Sequence, residues 1–224
     1  MLEVLRVELQ GITCSFRYPH FHVGRQPTYP MPPPATIYGH ICSAVGEYLD
    51  PSSLRFGYFF SASGRDSDYE HIFQFTLGTR RKDRRWTYAQ NVRGALVPVW
   101  RDFMLNPRLV LYIDAPSILG QLYEAFRCPH YPVILGRSQD MAGYRRVDIV
   151  QLEAADSGYF ENTLLPWAFR LRTRVGSPFF MPRFIDPDDR RRVSWAPYIV
   201  LENRLFLSET PVAGDDLPAN TVVR

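Results

Sequence analysis

Apolar side chains alternate with polar ones at the start of the chain, with Leu5, Val7 and Leu9 set against Arg6, Glu8 and Gln10. That period of two predicts a half-buried strand. Between residues 17 and 34 the pattern breaks: Pro19, Pro27, Pro30 and the run Pro32, Pro33 and Pro34 are interleaved with Tyr18, His20, Phe21, His22, Arg25 and Tyr29. A long loop is expected there, and loops of that length in a compact domain usually carry function. From Thr36, apolar residues recur at Ile37, Ile41, Val45 and Tyr48 or Leu49, the spacing of a helix with Thr36 as its N-cap and Asp50-Pro51 as its stop. Aromatic-rich runs at 54–62 and 72–77 read as a hairpin about a polar turn at 63–68. Residues 109–113 suit a buried strand. Ile118, Leu119, Leu122, Tyr123 and Phe126 mark a second helix, entered at Pro116-Ser117 and ended by Cys128-Pro129, and 147–152 reads as a further strand.

The order strand, helix, strand, strand, helix, strand is that of an α+β, ferredoxin-like (RRM-related) domain, with both helices on one face of an antiparallel sheet and the other face free for a ligand. Beyond Leu165 the chain changes character, with Pro166, Pro178, Pro182, Pro187 and Pro197 spaced among aromatics and arginines. The division expected is a domain over 1–166, with an insertion at about 78–95, followed by a proline-rich, β-containing C-terminal extension over 167–224. The extension is expected to close with a hairpin, 198–201 against 205–207, about Glu202-Asn203. No internal repeat is evident.

Composition narrows the class. With 224 residues, 46% hydrophobic and 14% aromatic, the chain can bury a sizeable core, which argues against disorder. No stretch approaches the roughly 18 apolar residues of a membrane span, and the first ten residues lack the apolar region of a signal peptide. A soluble, cytoplasmic protein without a membrane partner is expected. Cys14, Cys42 and Cys128 are odd in number and lack Cys-x-x-Cys spacing, so they read as buried, reduced thiols and not as a zinc site. Net charge is only +3. More telling is the kind of base: Lys82 is the sole lysine among 26 basic residues. Arginine's planar fork suits phosphate and stacks on bases, although GC-rich codon usage gives the same bias.

Two constellations carry candidate chemistry. Arg80, Arg81, Lys82, Arg84 and Arg85 are followed by Trp86, Tyr88 and Arg93. Cations track a phosphate backbone while rings stack on bases, at about 1–3 kcal/mol per base; the bland alternative is a solvated loop. The second runs from Arg17 through Thr36, Ile37, Tyr38 and Gly39, where a helix N-terminus can hold a phosphate and Gly39 lets a backbone approach. Prolines that only form a rigid wall, with glycines that only allow tight helix packing, explain the same spacing. His20, His22, Tyr29, Tyr38 and His40 raise metal-independent RNA cleavage as a rival, with Arg17 or Arg25 as the cation a phosphorane needs. No metal is expected, because no Asp, Glu or Cys accompanies the histidines within the loop. No Walker A, Ser-His-Asp or paired-carboxylate motif appears, and no cofactor is implied. An interaction scaffold whose arginines meet acidic protein surfaces is a third possibility.

Phe16-Arg17-Tyr18-Pro19 followed by Pro30-Met31-Pro32-Pro33-Pro34-Ala35-Thr36-Ile37-Tyr38-Gly39 resembles the amino-terminal signature of the fifth CRISPR-associated protein family, of the RAMP superfamily. Leu135-Gly136-Arg137-Ser138-Gln139-Asp140-Met141 is similar to its second signature, and Thr163-Leu164-Leu165-Pro166 to a third landmark. The resemblance implies a ferredoxin-like RAMP domain with a basic thumb hairpin at Arg80 to Arg93. It implies a non-catalytic subunit of the type I complex Cascade that caps the guide (crRNA) 5′ handle, adjoins the large and backbone subunits, and meets target DNA only through the complex. Arg17, Thr36, Tyr38 and Gly39 would then contact the handle backbone, with Arg137 and Ser138 supporting the same groove. A processing branch of the family cleaves with a tyrosine, a lysine and a histidine. Lys82 has no adjacent histidine, which disfavours cleavage here. The glycine-rich loop common in RAMP proteins is also not evident, as Gly158, Gly176 and Gly214 stand alone.

Overall fold

The computed structural model describes residues 1–21, 24–77, 92–155, 157–173 and 175–208. Strand β1 (Leu2–Gly11) is flanked in one sheet by β7 (Arg108–Asp114) and β8 (Ala142–Leu152), both antiparallel to it. Strand β4 (Arg55–Ser61) pairs antiparallel with β7, and the sheet continues through β10 (Thr163–Pro166), β12 (Val193–Leu201) and β11 (Ser177–Ile185). Its seven strands run in the order β11-β12-β10-β4-β7-β1-β8. Helices α1 (Pro34–Val45) and α2 (Leu119–Arg127) cover one face, packed on Leu5, Val7, Leu9, Phe56, Tyr58, Phe60, Leu109, Leu111 and Ile113. The opposite face of the central strands is mixed: Arg6 is bonded to Asp148 at 2.7 Å and Glu8 faces Arg108, beside Val4, Phe59, Val110 and Tyr112. Leu165, Ile199 and Leu201 form a small second cluster with Phe160, Phe169, Leu205 and Leu207.

The element order read from the sequence is present as β1, α1, β4, β7, α2, β8, with three local corrections. First, 54–62 does not pair with 72–77. Instead β5 (Gly64–Leu77) pairs with β6 (Val92–Leu105) as one ribbon, in register from Gly64↔Leu105 to Leu77↔Val92. The polar residues at 65–68 look like a turn by composition, but within a two-stranded ribbon they are solvated or paired across it. Second, α1 begins at Pro34 with Pro33 as N-cap and no side-chain cap, and the Thr36 amide donates to the Pro33 carbonyl at 2.9 Å. Proline at the first helical position has its torsion preset and no amide to leave unpaired, so the cap moves upstream of Thr36. The helix also stops short of Tyr48, at Gly46, whose φ of 94° is left-handed and whose amide closes on Cys42. Third, no hairpin forms about Glu202-Asn203: β12 joins β10 and β11, while β13 (Leu205–Ser208) pairs with β9 (Ser157–Phe160).

Two further short strands go unread in the sequence, and the second lies in the stretch read as irregular. β2 (Thr13–Cys14) pairs with β6, and β3 (Gly24–Gln26) runs parallel to Val99–Arg101 of the same strand. Cys14 and Cys42 are buried, but Cys128, at the end of α2, is exposed. No helix among the described residues is long and apolar enough to cross a membrane.

Candidate nucleic-acid interface

The proline-rich loop is closed at its neck. The Phe16 amide donates to Thr28 Oγ1 at 2.8 Å, the Tyr29 amide donates to the Phe16 carbonyl at 2.8 Å, and Arg17 bridges Thr28. On one side β3 ties the loop to the root of the β5–β6 ribbon. There Arg25 forks onto Asp102 at 3.1 Å, and Ser67 Oγ donates to the same carboxylate at 2.8 Å. On the other side Tyr29, buried and stacked at 3.7 Å on Tyr18, donates its hydroxyl to the Phe180 carbonyl of β11 at 3.1 Å. His20 lies over the Trp195 ring of β12 at 5.1 Å. The loop is thus strung between the ribbon and the β11–β12 pair. Arg17, His20, Phe21 and Arg25 are exposed along it.

Several sequence candidates serve the scaffold. Tyr38 is buried and donates its hydroxyl to the Leu49 carbonyl at 2.6 Å. Burial pushes the Tyr29 and Tyr38 phenols well above their usual pKa, so neither is a base at neutral pH. Pro30 to Ala35 are buried, so the start of α1 is turned into the core and Thr36 is only half-buried beside it. The phosphate seat expected at that N-terminus therefore has no open approach. Gly39 faces outward, and a Cβ there would meet nothing within 4 Å, so tight helix packing is not its reason. It borders a cleft of about 430 Å³ with Ala35, Ser43, Tyr131 and Arg190. His40 is enclosed between α1, α2 and β8, its Nε2 2.9 Å from the Tyr144 hydroxyl.

A family model described as CRISPR-associated protein (Cas_Cas5) matches residues 4–199. The chain belongs to the Cas5 family of CRISPR-associated proteins. Among solved structures, one described as "CRISPR RNA-guided surveillance complex" is similar at TM-score 0.60 and 16% identity, covering 91% of each chain. A CRISPR protein from Archaeoglobus fulgidus aligns at TM-score 0.47 and 8% identity over 90% of this chain and 87% of that one. A chain of the Type III-B Cmr-beta assembly, bound to cognate target RNA and AMPPnP, aligns at 0.44 and 12%, over 91% and 85%. No curated protein matches the sequence.

In this Cas5 chain the segment 135–141 is a clamp at the ribbon's root. Arg137, nearly enclosed and lying 5.1 Å over the Phe103 ring, donates to Asp140 at 2.9 Å and to Glu70 of β5 at 2.7 Å. Thr13 of β2 donates to Asp140 at 2.6 Å. Burial alone would raise the Asp140 pKa, but the bonds from Arg137 and Thr13 outweigh it and hold the carboxyl below its ordinary value. With its guanidinium spent on carboxylates, Arg137 fixes where the ribbon projects, while Ser138 beside it is exposed. Gly136 makes the clamp possible: at φ 121° a Cβ would sit 2.1 Å from the Ser15 carbonyl oxygen.

The structure adds residues that pattern reading passed over. Arg101, buried in β6, donates to Ser15 at 2.9 Å and to Gln26 at 2.7 Å, locking β3 against the ribbon. Tyr69 and Trp100 lie 5.1 Å apart on its opposite, exposed face. Trp195 and Phe180 bring the C-terminal strands to the loop. Pairing register is the signal that would have revealed them, and it is not written locally in any of these segments. Arg93 lies in β6. His22 and the run Arg80, Arg81, Lys82, Arg84, Arg85, Trp86 and Tyr88 lie outside the described residues.

Proposed function

We propose that this chain is a non-catalytic, RNA-binding subunit of a type I CRISPR surveillance complex that caps the 5′ handle of the guide RNA beside the backbone and large subunits. Target DNA is met only through the assembled complex. Family membership supports the CRISPR role, and the neighbour described as an RNA-guided surveillance complex supports the kind of assembly. In this reading β1, α1, β4, β7, α2 and β8 are the ferredoxin-like unit, and the β5–β6 ribbon is the thumb, with Arg80 to Arg85, Trp86 and Tyr88 falling between its two strands in sequence.

The observation that carries the reading is the loop at 17–28, hydrogen-bonded to the thumb's root and held to β11–β12, with Arg17, His20, Phe21 and Arg25 outermost. A short single strand lying along it meets cations for its phosphates and ring faces for its bases. Binding without turnover is supported by how His40, Tyr29 and Tyr38 are committed. His40 Nε2 lies 2.9 Å from the Tyr144 hydroxyl, and the Tyr29 and Tyr38 phenols are hydrogen-bonded to backbone carbonyls.

A salt titration with a single-stranded repeat RNA tests this. Affinity should fall linearly on a log–log plot, and Arg17→Ala should lower the slope by about 0.7, the share of one phosphate contact on a single strand. Binding insensitive to salt, or none, counts against the reading.

A further inference from the structure

The aromatic pairs of this protein differ in geometry and in exposure. Several meet edge-on or tilted, as Phe16 and Phe60 at 72°, Tyr38 and Phe184 at 60°, Phe126 and Tyr144 at 70° and Tyr159 and Phe206 at 58°, while Tyr18 stacks on the buried Tyr29. His20, Trp195 and Phe180 stack as well, but with exposed members. His20 is inclined 20° to the indole at 5.1 Å, and Phe180 8° at 5.7 Å, so three rings from three segments form one near-parallel column. Rings that only fill space meet edge-on or offset-stacked. A parallel column whose members are exposed offers a surface on which a planar base can add as a further layer. Phe180 is 58% exposed and His20 is exposed as well.

We propose that this column is a base-stacking site for single-stranded RNA, contributed largely by β11 and β12, and that it extends the interface beyond the loop and thumb. The inference rests on the RNA-binding reading above and adds its second wall. Charge favours a nucleic acid over an apolar protein partner. Arg17 lies three residues from His20 in the loop, and exposed Arg183 occupies the bulge between Pro182 and Phe184, next to the column in sequence. The carboxylates of the neighbouring turn, Asp186 and Asp189, are engaged by Arg191 and Arg192, which moderates their repulsion of a phosphate. The strands also explain the alignment. Trp195 pairs with Pro182, so Phe180 sits diagonally across from it on the same face of β11–β12. The hydrogen bond from Tyr29 to Phe180 sets the loop at the distance that lets His20 complete the stack.

The test is RNA affinity of the full chain across a salt series, with an otherwise identical set of RNAs carrying a single abasic position. Phe180→Leu and Trp195→Leu should each weaken binding about 10-fold with the salt slope unchanged, since stacking displaces no counterions. Trp195→Phe should stay within about 3-fold of wild type, as a ring is retained. One abasic position should cost wild type a comparable factor and cost Phe180→Leu little more. Phe180 is exposed, so that variant stays informative if Trp195→Leu does not fold. Leucine variants that bind RNA like wild type at every salt concentration overturn the column as an RNA site. The same holds if they keep RNA affinity and lose only association with partner subunits, which would make it a protein-docking surface. A wild-type chain that binds no single-stranded RNA removes the RNA-binding reading itself, and that outcome is distinct from failure of the column alone.

Discussion

Gly136 and His40 show what single positions control. At Gly136 the left-handed backbone and the Ser15 carbonyl 2.1 Å from a would-be Cβ leave no room for any side chain. Gly136→Ala should cost about 2–3 kcal/mol, read as a lower urea midpoint, by strain and by opening the Arg137–Asp140 clamp. His40 is held neutral by burial, which lowers its pKa from 6.5 to about 4. The buried Tyr144 hydroxyl, itself kept protonated, has an unprotonated nitrogen to donate to. An unfolded chain takes up that proton near pH 6.5, so stability from this site is full above 6.5 and drains as pH falls toward 4. Between pH 6.5 and 5 the loss should be about 2 kcal/mol. His40→Gln should flatten that part of the pH–stability curve, and identical curves would contradict the account. Neither role is legible in the sequence, where Gly136 stands within a motif and His40 reads only as a candidate acid or base.

At the scale of elements, the alternation in β1 and the helical spacings of α1 and α2 were readable, because each buries a face whose period is written in its own residues. The β5–β6 ribbon was not, since its buried residues Val99, Arg101 and Met104 lie in β6 with no matching period in β5, and its polar start imitates a turn. Each strand has 14 residues, so the ribbon reaches roughly 45 Å. Leu77 and Val92 are paired, so an Asn-Gly turn replacing 78–91 should close it without disturbing the fold. Thermal unfolding should be nearly unchanged. RNA affinity should fall steeply, and the log–log salt slope should drop by up to roughly 3 as the run from Arg80 to Arg85 is lost. An unaltered slope would show that the basic run does not meet phosphate.

Seen whole, the molecule carries a surface that water alone does not suit. Tyr69, Phe73, Leu96 and Trp100 share one face of the ribbon, each more than half exposed. Contiguous exposed apolar area marks interaction surfaces. The isolated chain should therefore self-associate in sedimentation velocity, and Leu96→Lys should shift it toward monomer; a monodisperse wild-type chain would contradict this. Long-range assembly is also where sequence reading stopped. That β3 runs beside β6, or that Trp195 meets His20, depends on partners 75 or more residues away.

The central claim is a grip on single-stranded guide RNA that leaves the strand intact. Its most direct test is to incubate the purified chain with end-labelled repeat RNA in EDTA and run the products on native and denaturing gels. A shifted complex from which full-length RNA is recovered is the predicted result. Site-specific cleavage, lost in His20→Ala or His22→Ala, would contradict it.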